Sequence, residues 1–149
     1  MSRLAIDPGV DTGFAVFDVK GALVDCGLSD RFPTFGISLA IIECPQVYPG
    51  RNSKGDPNDL IVLAVRVGRY QERLEAAGAR VTLVLPRAWK GTVPKDIHNA
   101  RVIRDLSPEA AAVVLEGCRG VVASKVNNII DAIGLGSWAF RSGPWRVRP

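Results

Sequence analysis

Arg3-Leu-Ala-Ile-Asp7, Pro8-Gly9-Val10-Asp11-Thr12-Gly13, Phe14-Ala-Val-Phe17: here a short apolar run ends on an acid, turns, and resumes as a second apolar run. Pro8-Gly9 is turn chemistry, and the flanking runs have the β-branched and aromatic content of strands. Asp18 to Gly21 supplies the next turn and Ala22-Leu-Val24 a third run, so the first 28 residues read as a three-strand antiparallel meander. A Pro- and Gly-containing region, Arg31 to Gly36, then leads to Ile37–Ile42, which ends on Glu43. The near-continuous apolarity of that fourth run fits a strand covered on both faces, the habit of parallel strands.

Beyond it the period changes. A polar loop spans Pro45 to Pro57, a length at which structureless loops are commonly functional. Leu60, Leu63, Ala64, Val67, Tyr70 and Leu74 recur at spacings of three and four, with Asn58 or Asp56 as the cap and Gly78 as the stop, and predict a helix. Arg80 to Leu85 predicts a fifth strand stopped by Pro86, and Arg87 to Lys95 a basic connector. Three helices complete the pattern: Ile97 to Leu106, one opened by Ser107-Pro108-Glu109 and running to Glu116, and Lys125 to Phe140. The expectation is an α/β fold with a mixed five-stranded sheet, the meander plus two parallel strands, flanked by helices. It is divided into one domain over 1–140 and a basic C-terminal arm over 141–149.

Composition limits the function classes. A chain of 149 residues, 47% hydrophobic and 23% charged, is one globular domain rather than a tail or fibre, and at this length a core forms without disulfides. The three cysteines, Cys26, Cys44 and Cys118, form no CxxC pair, which argues against a zinc ribbon and for a reducing compartment. Asp7 and Asp11 interrupt the first apolar run, and no run reaches the roughly 18 apolar residues of a membrane span, so neither leader nor anchor is expected. The expected location is cytoplasmic. The net charge of +4 is uneven: residues 1–79 carry 8 Lys and Arg against 10 Asp and Glu, and residues 80–149 carry 11 against 5. An acidic site facing a basic surface suits a polyanionic partner, although a solvated surface with a basic tail has the same composition.

Three acids end or interrupt apolar segments: Asp7, Glu43, and Asp131 within Asn127-Asn128-Ile-Ile-Asp131-Ala-Ile-Gly. Taken singly, each has a bland reading as a turn starter, a strand-end charge or a solvated helix position. If strands one and four pair in parallel, Asp7 and Glu43 lie side by side at their carboxyl ends, where open α/β sheets bind ligands. The last helix would add Asp131, with Asn128 one turn earlier on the same face. Three carboxylates about 4 Å apart repel by roughly 4 kcal/mol per pair at an effective dielectric near 20, so a cation must join them. Oxygen-only ligands suit Mg²⁺ or Mn²⁺ rather than zinc.

These segments together resemble the RuvC family of Holliday junction resolvases, within the RNase H-like nucleases, and look most like its short phage-associated versions. The likeness lies in Leu4-Ala-Ile-Asp7-Pro-Gly-Val-Asp-Thr-Gly13, Ile41-Ile-Glu43, the helix over 58–78, Ala88-Trp-Lys90-Gly-Thr-Val and Asn128-Ile-Ile-Asp131-Ala, in the family's order. The resemblance implies a site of Asp7, Glu43 and Asp131 holding two Mg²⁺ or Mn²⁺ ions, with Asn128 at the family's fourth ligand position. It implies that Lys90 acts on the scissile phosphate, with Lys95 or His98 as a second basic group. The helix that relatives place between strands three and four is reduced here to a few residues.

The implied activity is a metal-dependent endodeoxyribonuclease that resolves four-way DNA junctions by paired hydrolysis, as a homodimer because the junction has two-fold symmetry. Arg87, Lys95, Arg101 and Arg104 would attract the DNA backbone, and Tyr48 and Trp89 are candidates for base stacking, with packing as the other role open to Trp89. Alternatives are an RNase H-like nuclease acting on other branched DNA or RNA, and a non-catalytic junction-binding protein. An actin-like or sugar-kinase ATPase begins similarly but needs two such domains, and no GxxxxGK[ST] loop is present.

Overall fold

Strand β1 (Ser2–Asp7) is the centre from which the sheet is built in this computed structural model, which describes residues 1–47 and 55–146. On one side β1 pairs antiparallel with β2 (Gly13–Phe17), which pairs antiparallel with β3 (Leu23–Leu28). On the other it pairs in parallel with β4 (Ile37–Glu43), which pairs in parallel with β5 (Arg80–Val84). The order β3-β2-β1-β4-β5 is the mixed RNase H-like arrangement that the sequence predicts. The β2–β3 turn closes because the Asp18 carboxylate accepts from the Lys20 and Ala22 amides while Gly21 takes φ 94°. No helix forms over 29–36, and Phe32 instead buries its ring against Tyr70 at a centroid distance of 4.9 Å.

Successive strand residues point to opposite faces, and the two faces carry two cores. Leu4, Ile6, Phe14, Val16, Ala40 and Ile42 pack on one face against Val67, Tyr70 and Leu74 of α1 (Pro57–Ala76). Ala5, Ala15, Phe17 and Ile41 pack on the other against Ile129, Ile130, Ile133 and Leu135 of α5 (Ala123–Arg141). Of the two caps open in the sequence for α1, Asp56 is the one used, accepting from the Asn58 amide at 2.9 Å. Only the C-terminal half of the expected α1 stripe is buried: Ala64 is exposed, as are Ile61, Val62 and Val65 beside it.

The expected basic connector is partly helical. Pro86, read as a strand stop, also opens a short helix, α2 (Pro86–Lys90), because its fixed φ and missing N–H suit a first helical turn. Helix α3 (Lys95–Arg104) and helix α4 (Pro108–Gly117) follow, the latter capped by Ser107 Oγ on the Ala110 amide at 3.1 Å. The expected arm is not extended over its described part. After α5 the chain turns back, the Trp145 amide donates to the Ala139 carbonyl, and the indole is buried against Phe17 and Phe140. Arg3 fastens it from β1, donating to the Trp145 carbonyl at 2.9 Å with its guanidinium over the Phe140 ring. The aromatic area gained by burying Trp145 outweighs the Pro, Gly and Arg character of its neighbours. Among the described residues no helix is long and apolar enough to cross a membrane.

Candidate active site

Register brings the first two acids together. Ile6 of β1 faces Ile42 of β4, so Asp7 and Glu43 are the next residues on neighbouring parallel strands. Alternation puts both on the face of Ala5 and Ile41, the face covered by α5. That helix brings Asp131, which is 2% exposed, among Ile130, Ala132 and Ile133. The close approach of α5 needs Gly13 at the start of β2: a Cβ there would lie 2.0 Å from the Asn128 carbonyl oxygen.

Two ammonium groups enter this acidic corner. Lys90 Nζ lies 3.1 Å from Glu43 Oε2 and 3.4 Å from Asp131 Oδ2, and Lys95 Nζ lies 3.4 Å from the same Asp131 oxygen. Trp89 donates its indole N–H to Glu43 Oε2 at 2.8 Å. Burial, with the added repulsion of Glu43 and Asp131, pushes the Asp7 carboxyl up to about 8, against the opposing pull of Lys90 and Lys95. For Lys90, burial works against the charge, but Glu43, Asp131 and Asp7 outweigh it and raise its pKa.

Among the described residues no three His, Cys, Asp or Glu side chains are grouped as a metal site as they stand; the cations among the carboxylates are the two lysines. The chemistry of the donors nevertheless fits a hard divalent ion. All are carboxylate oxygens, burial together with the neighbouring Glu43 and Asp131 raises the Asp7 pKa, and Asp131 Oδ1 is buried with no hydrogen-bond partner among the described residues.

The remaining residues divide. Asn128 turns its amide nitrogen to the Asp11 carbonyl at 3.0 Å, so its Oδ1 is the atom left for a ligand. His98 does not project as a phosphate contact: it packs edge-on against Trp89 at 5.0 Å, its Nε2 is buried with no hydrogen-bond partner among the described residues, and burial lowers its pKa against the opposing effect of Asp131. Arg87 on α2 and Arg101 on α3 are exposed, while Arg104 is bound to Asp105 at 2.9 Å. Tyr48 lies outside the described residues.

Three contributors carried little sequence signal. Arg66 of α1 donates to the Gly9 carbonyl, and the Tyr70 hydroxyl bonds Thr12 Oγ1 at 2.7 Å, so α1 holds the turn that follows Asp7. Lys125 holds the same turn from α5 through Asp11 at 2.9 Å. Side chains so far apart in the chain leave no periodic trace by which to pair them.

Sheet order and three converging acids define an RNase H-like α/β domain with a carboxylate site at its strand ends. No protein-family model matches this sequence, and no curated protein matches it. Among solved structures it is similar to Thermus thermophilus RuvC in complex with a Holliday junction substrate, at 16% identity and a TM-score of 0.49, covering 96% of this chain and 98% of that one. It is also similar to a second Thermus thermophilus RuvC structure, at 17% identity and a TM-score of 0.42, covering 93% and 95%.

Proposed function

We propose that this chain is a divalent-metal-dependent endonuclease that resolves four-way DNA junctions by paired phosphodiester hydrolysis, acting as a homodimer. The observation that carries the reading is the convergence of Asp7 and Glu43, from adjacent parallel strands, with buried Asp131 from α5, all within reach of Lys90 and Lys95. A strongly shifted carboxylate among other acids at the ligand-binding edge of a sheet marks a candidate functional site, and Asp131 Oδ1 has no hydrogen-bond partner among the described residues.

Asp7, Glu43 and Asp131 would hold Mg²⁺ or Mn²⁺, with Asn128 Oδ1 beside them. The bound ions would activate the attacking water and neutralise the leaving 3′ oxygen. Lys90 and Lys95 then have a second partner available: ammonium groups that rest on carboxylates can bind the oxygens of the scissile phosphate when cations take over the acids. Asp131, at 2% exposure, would meet an ion largely shielded from bulk water. Arg87 and Arg101, exposed on α2 and α3, add a sequence-independent attraction to the DNA backbone.

The test is digestion of a synthetic four-way junction, a Y-fork, a duplex and an RNA hairpin with Mg²⁺ at two salt concentrations. Symmetric paired nicks in the junction, lost in Asp7→Asn with binding retained, are expected. Preferential cutting of the fork or the hairpin would move the substrate to another branched or RNA species. Binding without cutting in Mg²⁺ and Mn²⁺ would leave a junction-binding protein.

A further inference from the structure

We propose that Trp89 is a positioning residue for this site, its indole N–H fixing the Glu43 carboxylate while its ring face holds the Lys90 ammonium. The proposal rests on the reading of Asp7, Glu43 and Asp131 as the reacting centre and deepens it.

Three observations carry it. The Trp89 N–H meets Glu43 Oε2 at 2.8 Å, and the ring centroid lies 4.7 Å from Lys90 Nζ, so one side chain touches both members of the Glu43–Lys90 pair. Oε2 thereby has two donors, the indole and the ammonium, and Oε1 is the oxygen left for a metal ion. The ring itself is wedged. It is 8% exposed, His98 packs edge-on against it, and α5 leaves room for both through Gly134, where a Cβ would come 3.2 Å from the indole and 3.1 Å from His98 Nε2. Gly134 is one helical turn after Asp131, so the indole is braced by the helix that delivers the third acid. A core residue needs no such geometry: an indole filling space would do so equally well with its N–H on any carbonyl. Partners that orient a metal-binding carboxylate typically affect metal affinity or activity by 10–100-fold.

The test separates the N–H from the ring. Trp89→Phe keeps an aromatic ring without the donor, and benzothienylalanine at position 89 keeps the whole bicyclic shape with sulfur in place of the N–H. For both, the expected result is a kcat on the four-way junction at least about 10-fold lower with KM unchanged, and Mn²⁺ affinity in calorimetry weakened by a similar factor. Independently of activity, the three tryptophans give three indole N–H resonances, and the one missing in Trp89→Phe is expected to move in Glu43→Gln while the other two stay. A benzothienylalanine protein with unchanged kcat and Mn²⁺ affinity, or an indole resonance indifferent to Glu43→Gln, overturns the proposal. Should the unaltered protein cut none of the substrates, the nuclease reading fails, and the resonance and Mn²⁺ affinity alone decide the role of Trp89.

Discussion

Asp7 titrates far from an ordinary aspartate because burial and two neighbouring carboxylates oppose its charge, and that displacement has measurable consequences. Its folded pKa, about 8, lies above the ordinary 3.8, so between these values the native state keeps a proton that the unfolded chain has lost. Stability of the metal-free protein therefore falls as pH rises through that window, and the loss is complete above the folded pKa. Asp7→Asn, which cannot ionise, is expected to be more stable than the unaltered protein at pH 8 by about 1 kcal/mol or more, each pKa unit being worth about 1.4 kcal/mol, and to show no such gain near pH 3. Thermal melts at the two pH values measure this. The same proton must leave when a cation binds, so Mn²⁺ binding at pH 7 is expected to release close to one proton, read from calorimetry in buffers of different ionisation enthalpy. Uptake of Mn²⁺ without proton release would show that Asp7 is not a ligand.

Elements deliver these residues, and they differ in how plainly the sequence announces them. Strands β1, β2, β4 and β5 are legible because short apolar runs bounded by Pro, Gly and acids have few other readings, and parallel pairing of β1 with β4 then places Asp7 beside Glu43. Asp131 is legible because a charge among Ile and Ala demands a partner. The short helix α2 was hidden, since Pro86 serves equally as a strand stop and a helix start, and with it the direction of Trp89. The return of the chain at Trp145 was hidden too, because Arg3 and Phe140, which hold it, are remote in sequence. Gly13 is the element-scale counterpart of these contacts: it has no Cβ where the backbone of α5 crosses the start of β2. Because the obstructing atom is a carbonyl oxygen and not a flexible side chain, Gly13→Ala is expected to cost about 3 kcal/mol, the upper part of the range for overpacking, and to displace α5 with Asp131. Denaturant melts would register the cost. A substitution that is neutral in stability would mean that α5 sits further from the sheet.

At the scale of the whole molecule, α1 is only partly covered by the fold. Its C-terminal half is buried through Val67, Tyr70 and Leu74, but its N-terminal half turns Ile61, Val62 and Val65 outward, 62%, 60% and 51% exposed. This row continues into Arg66 and Tyr70, which hold the turn after Asp7, so the exposed apolar face and the acidic site are joined by one rigid helix. On the proposed function, a two-fold symmetric junction cut at two symmetric points requires two such sites at a fixed separation, and an isologous contact between two α1 helices would supply it. Val62→Glu places a charge in the middle of that face, where pairing would bring two like charges together without water. If the proposed homodimer forms through this face, the expected outcome is a monomer by light scattering for Val62→Glu and a dimer for the unaltered protein. It is accompanied by a shift from paired nicks to single nicks on a cruciform plasmid, which separates linear from nicked-circular products. Nicking at each separate site should continue, because Val62 is exposed on α1, which packs on the sheet face opposite the one that carries Asp7 and Glu43. A Val62→Glu protein that remains dimeric would move the interface to another surface, and a monomeric unaltered protein that still makes paired cuts would remove the need for one.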